Sequence, residues 1–215
     1  MRHEMLRSAR AWIIAALALS CASCSSLFGC KERTPPAIYV LSLDPAATPP
    51  HAGSCGALQV SEPDPAPGFS SARMVYQRQP HRLEPFAFAR WAEPPAPMMQ
   101  DAMVRALERS GLFSAVLAAP AAVPPDYSLE SDALSVLQSF DGGTSQTVIE
   151  LSIRLVDLRK SRLLAVQRLS ASVPAEANPA GGVAAANRAL AQVLDQLVGL
   201  TRNAVDCSGP APPRG

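Results

Sequence analysis

Between Tyr127 and Val173 the chain carries three β-rich runs separated by two very short turns, and this pattern restricts the fold more than any other. Tyr127–Phe140 and Leu163–Val173 flank Thr147–Leu155, in which Ile149, Leu151, Ile153 and Leu155 recur at every second residue. A period of two places such side chains on one face of a strand, so that face seeks a core. Asp141-Gly-Gly-Thr144 and Arg159-Lys-Ser161 are far too short for a crossover connection, which takes a dozen or more residues. The three strands are therefore antiparallel neighbours, a meander. Its apolar face needs a cover.

Two helical stretches can supply one. In residues 96–110 Met99, Met103, Ala106, Leu107 and Ser110 recur at three and four, opposite Gln100, Asp101, Arg105, Glu108 and Arg109. Pro94, Pro95 and Pro97 sit where a missing N–H costs little, and Gly111 suits the left-handed residue that closes a helix. Near the end, Asn178–Gly182 breaks the chain. Val183, Asn187, Leu190, Val193, Leu194, Leu197 and Val198 then mark a long alanine-rich helix ending near Asn203. Ile38–Leu43, Gly56–Glu62, Met74–Gln77, Leu83–Phe88 and Leu112–Leu117 read as shorter strands. Pro85 makes the fourth of these an edge or an irregular start. The expected fold is α/β (α+β): a mixed, largely antiparallel sheet flanked by two amphipathic helices in a layered sandwich.

The N-terminus reads as an export signal. Arg2, Arg7 and Arg10 precede the short apolar run Trp12–Leu19, and Ser20-Cys-Ala-Ser-Cys24-Ser follows with small residues and thiols. The apolar run is well short of the ~20 residues a spanning helix needs. A cysteine at the cut site points to a bacterial lipoprotein carrying a covalent N-terminal lipid such as palmitate. Cys24 has the best placing for lipidation; Cys30 and Cys21 are the alternatives. An ordinary cleaved signal is the plainer reading. The chain then divides into a signal peptide at 1–23, a tether at 24–37, a folded domain at 38–205 and a disordered tail at 206–215. Buried acyl chains, at ~0.8 kcal/mol per methylene, hold such a domain to a membrane without a spanning helix.

Cutting the leader removes three arginines and one glutamate and leaves the remainder near neutrality. No basic patch suits nucleic acid. The 21 prolines concentrate in connectors between the predicted elements, where they punctuate the fold. Cys55 precedes the second strand and Cys207 follows the last helix. In an oxidising compartment these two can pair, closing a loop of about 150 residues; two free thiols, or a pairing with Cys30, are the alternatives.

Catalytic and metal motifs are missing from the sequence: no G-x-S-x-G elbow, Walker loop, H-E-x-x-H or paired C-x-x-C. His51 and His81 fall in a linker and a turn and read as solvated. Met98, Met99 and Met103 read as core. Tyr76, Arg78, Arg82, Phe86 and Phe88 mix arginine with aromatic rings in one irregular stretch. They suit either a partner interface or an ordinary sheet edge. Trp91 suits either a plug under the first helix or a contact to a partner.

Several segments, taken in order, resemble the ABC-type transport auxiliary lipoproteins, the PqiC-like family. They are the cysteine leader, Tyr39-Val-Leu41-Ser, Met74-Val-Tyr-Gln77, Arg90-Trp-Ala-Glu-Pro94, Leu107-Glu-Arg-Ser-Gly-Leu-Phe113, the hairpins and the closing helix. The resemblance spans about residues 36–205. It departs from the family in its crowded cysteine leader and in a polar, proline-rich insertion at 44–55. It implies a three-layer domain without catalysis or cofactor, held to the periplasmic face of the outer membrane. It would assist an ABC permease and ATPase that work with mammalian-cell-entry (MCE) domain proteins in lipid transport. Self-association fits that picture. A periplasmic lipid carrier with an apolar cavity is the alternative, and an envelope hydrolase a third class.

Overall fold

The three predicted runs form one continuous meander, and its first strand organises everything else. The computed structural model describes residues 35–43 and 53–207. Cys21, Cys24 and Cys30, nearly all of the tether, most of the 44–55 insertion and the tail from 208 lie outside them. The elements are β1 (Ala37–Tyr39), β2 (Cys55–Val60), β3 (Arg73–Gln79), β4 (Arg82–Trp91), α1 (Pro95–Arg109), β5 (Phe113–Ala118), β6 (Tyr127–Asp141), β7 (Thr144–Asp157), β8 (Arg162–Pro174) and α2 (Pro179–Ala204). From Pro36 onward they form one compact unit.

One edge of β6 pairs antiparallel with β7 along its length, and β7 pairs antiparallel with β8. The other edge of β6 is shared. Its start pairs parallel with β2 (Val60 opposite Leu129), and its end pairs parallel with β3 (Tyr76 opposite Gln138). The segment between β2 and β3 rides on the same edge, through bonds from Ser61 N to Leu129 O (2.9 Å), Asp64 N to Ser131 O (3.0 Å) and Ala66 N to Leu134 O (2.8 Å). β5 extends the sheet beyond β2, and β4 then β1 extend it beyond β3. The branch lies at a bulge between Asp132 and Ser135, where Ala133 adopts φ 54°. An extra residue bends a strand and raises its local twist, which lets one strand serve two diverging neighbours.

Both helices cover the same face. Leu129, Ile149, Leu151, Ile153 and Leu155 are buried beneath them. Gln100 of α1 donates to Val60 O (3.0 Å), and Thr147 Oγ1 donates to Gly182 O of α2 (3.0 Å). The helices also touch each other. The other face carries exposed ion pairs: Arg154 with Glu130 (3.3 Å) and Asp132 (3.0 Å), and Arg168 with Glu150 (2.5 Å). Such pairs contribute ~0–1 kcal/mol each. The described residues thus make two layers, an α+β sandwich, and not the three that the resemblance implied.

Gly111, at φ 62°, ends α1 in the expected left-handed turn. The start of α2 differs from the sequence reading. Asn178–Gly182 is no break: Asn178 Oδ1 accepts from Gly181 N (2.8 Å), and Pro179 opens the helix. Asparagine followed by proline is a cap followed by the first helical residue. Gly181 and Gly182 then let α2 approach the sheet. A Cβ at Gly182 would lie 2.1 Å from Oε1 of Gln138. Gln138 is buried and pinned, its Nε2 donating to Ser145 Oγ and Glu176 O, both at 2.9 Å. Gly182→Ala is therefore expected to destabilise the domain by about 1–3 kcal/mol, read as a lower midpoint of thermal unfolding. Gly199→Ala, whose Cβ would meet nothing within 4 Å, is the control. It should be neutral or stabilising by up to ~1 kcal/mol.

The outer edge of β8 has no partner strand among the described residues. Two side chains of α2 reach its carbonyls instead. Gln196 donates to Ser170 O (2.9 Å) and Arg188 to Pro174 O (3.0 Å).

Candidate functional site

Because β3 runs parallel to β6, the β3–β4 and β6–β7 hairpins project from the same end of the sheet. Each turn uses left-handed backbone: Gly142 and Gly143 at φ 53° and 91°, and His81 at φ 65°. His81 is exposed there, as expected of a turn. Tyr76 is central to the cluster at this end. Its ring lies 4.5 Å from that of Phe86 and meets Phe140 edge-on at 5.7 Å. Its hydroxyl donates to Glu84 (3.2 Å), which also faces Arg82 at 3.5 Å. The Arg78 guanidinium lies over both rings, 5.0 Å from the centre of Tyr76 and 5.7 Å from that of Phe140. Such stacking is worth about 0.5–1 kcal/mol at an exposed site, and it holds the cation in place without neutralising it. Arg78 is exposed and has no carboxylate partner among the described residues. A cleft of about 190 Å³ beside it is lined by Gln77, Pro80, Ser139, Phe140 and Asp141.

The structure therefore gathers Tyr76, Arg78, Arg82 and Phe86, and adds Phe140, which sequence reasoning missed. Its signal was present: an aromatic residue ending a strand just before the Asp-Gly-Gly turn. Trp91 does not join them. At 3 % exposure it belongs to the core, beside a cavity of about 10 Å³ lined by Met74, Phe86, Val136 and Gly182. It is a core side chain, not a surface contact, and the helix residues beside that cavity, Gly182 and Ala186, belong to α2.

At the opposite end Cys55 and Cys207 are joined as a disulfide, their Cα atoms 4.8 Å apart and 152 residues apart in sequence. Tyr127 lies nearby under Phe113, with rings 5.8 Å apart, and its hydroxyl meets the Arg159 guanidinium. Burial raises its pKa against the opposing pull of that cation. Asp157, also buried, accepts from Lys160 N (3.1 Å) and faces Arg159 at 3.6 Å. These are satisfied structural groups. Among the described residues no three His, Cys, Asp or Glu side chains gather as metal ligands would, and no helix is long and apolar enough to cross a membrane.

Known proteins share this architecture. Protein XCC0632 from Xanthomonas campestris, of the family-model DUF330, superposes with a TM-score of 0.67 at 28 % identity, over 77 % of this chain and 94 % of that one. A second solved structure, of an uncharacterized protein, gives 0.60 at 15 % identity over 77 % and 98 % of the two chains. No curated protein matches at the level of sequence. The model of one family, the ABC-type transport auxiliary lipoprotein component, matches residues 39–198. That match takes in every strand from β2 onward and most of α2, and the chain belongs to this family of transport auxiliary lipoproteins.

Proposed function

We propose that this chain is a non-catalytic auxiliary subunit held by lipid on the periplasmic face of the outer membrane. Its hairpin end docks a periplasmic MCE-domain protein whose ABC permease and ATPase move lipid. The observation that carries the reading is Arg78, an exposed cation fixed across two aromatic rings with no ion pair among the described residues. Arginine and aromatic side chains are the residues that most often dominate interfaces. The Cys55–Cys207 bridge supports an oxidising compartment. Self-association would present several such ends to one partner.

The carrier reading has less support. It asks for an acyl chain between sheet and helices, and the cavity beside Trp91 holds about 10 Å³, barely the space for one water.

The test is recovery of partners from cross-linked envelopes. The unaltered chain should recover an MCE-domain protein. Arg78→Glu should lower that recovery at least tenfold, as loss of a hot-spot arginine worth 2 kcal/mol or more implies, while Arg168→Glu on the opposite face should not. Equal recovery by all three would remove Arg78 from the interface. Retrieval of phospholipid and no protein would sink the docking reading and put the carrier first.

A further inference from the structure

The pairing of β3 with β4 skips. Arg73 lies opposite Arg90 and Val75 opposite Pro85, so two steps along β3 match five along β4. The surplus residues of β4 bow away and leave a groove of about 440 Å³. Pro36, Pro85, Phe86 and Ala87 line it, and Arg73 and Arg90 frame it. Both arginines are exposed and neither has a carboxylate partner among the described residues; Arg90 reaches only the Trp91 carbonyl, at 3.4 Å. The neighbouring edge is apolar. Ile38, in register with Arg90, is 66 % exposed, as is Phe88, and Val40 is 52 % exposed. Single exposed hydrophobic residues are ordinary. Here three of them stand next to two uncompensated cations.

The chain's approach to this edge says what would cover it. Pro36, which lines the groove, is the first residue of the compact unit. From Cys24, the favoured anchor, the chain to Pro35 can span at most about 40 Å. An anchor at Cys24 would keep this edge within that reach of lipid headgroups, at high effective concentration.

We infer that the β1–β4 edge lies on the membrane surface and that its groove seats one anionic phospholipid. The phosphate sits between Arg73 and Arg90, and an acyl chain lies along Pro85 and Phe86. Guanidinium groups bind phosphate through paired donors, and apolar side chains beside them enter the headgroup boundary. The inference rests on the lipid-anchored part of the reading above and is independent of the docking part.

The test anchors the full chain in phosphatidylcholine vesicles, with and without phosphatidylglycerol, and places a photoreactive benzoyl-phenylalanine at Phe88. The expected result is a lipid adduct that rises severalfold with phosphatidylglycerol. It should fall to the phosphatidylcholine level in the pair Arg73→Glu and Arg90→Glu, with thermal unfolding unchanged. A probe at Val166, on β8, should give none. Equal adducts at both positions, indifference to phosphatidylglycerol, or adducts only to protein would overturn the inference while flotation with the vesicles keeps the anchoring reading intact. A chain that does not float would sink both.

Discussion

Breaking the Cys55–Cys207 bridge lowers the unfolding free energy by about 5 kcal/mol, the largest effect expected of any local change in this domain. The magnitude comes from the 152 residues between the two cysteines. A cross-link over so long a loop removes many conformations from the unfolded chain and few from the folded one. The bridge fastens the first residue of β2 to the segment just after α2, so it closes nearly the whole unit. Typical domains are stable by 5–15 kcal/mol, so the loss takes a third of the total or more. Urea unfolding of the oxidised chain, the reduced chain and the Cys55→Ser/Cys207→Ser variant measures it. The last two should agree, and both should show a steeper denaturant slope as their unfolded states expand. A difference below about 1 kcal/mol would mean that the unfolded chain is already confined by other contacts.

Trp91→Ala is expected to cost about 3–5 kcal/mol, the range for removing a large buried aromatic side chain. Trp91 ends β4, its N–H donating to Ala72 O (2.9 Å), in register with Tyr39 of β1. Its side chain is buried in the core near Gly182 and Ala186 of α2, beside a cavity that already exists. Truncation enlarges that cavity between parts that cannot collapse freely. Trp91→Phe should cost less, because most of the ring remains. The functional corollary separates the two roles proposed for aromatic residues here. Partner recovery by Trp91→Ala should follow the folded fraction, whereas Arg78→Glu should lose recovery at an unchanged unfolding midpoint. Loss of recovery by Trp91→Ala with an unchanged midpoint would return Trp91 to the interface.

The parts of this fold that were legible in the sequence are those specified locally. The period of two in β7, the glycines of its preceding turn and Gly111 after α1 each state their conformation within a few residues. The junction at β6 was not legible. Its parallel neighbours β2 and β3 come from segments dozens of residues away, and nothing in Val60 or Tyr76 names the strand it will meet. Ala133 gave no sign of a bulge, since alanine has no preference for positive φ. The cap at Asn178 is readable in principle, but two glycines inside the first helical turn imitate a loop. Their reason is steric and lies in Gln138, on another element. At the candidate site, the composition of the β3–β4 stretch pointed to Tyr76, Arg78, Arg82 and Phe86. Phe140 depends on a pairing that the sequence does not announce. Trp91 shows the limit of composition: an interface-type residue in an interface-type stretch, turned inward by the alternation of its strand.

The two α2 side chains that reach β8 have a consequence for a crowded surface. Lipoproteins confined to a plane meet one another far more often than proteins free in three dimensions, and an open strand edge of 13 residues would invite runaway pairing between neighbours. Gln196 and Arg188 occupy two of the acceptors that a visiting strand would need. Among the described residues the first part of the strand, around Leu163 and Val166, has no such cover, so a contact between neighbours would start there and meet the two occupied acceptors as it spread.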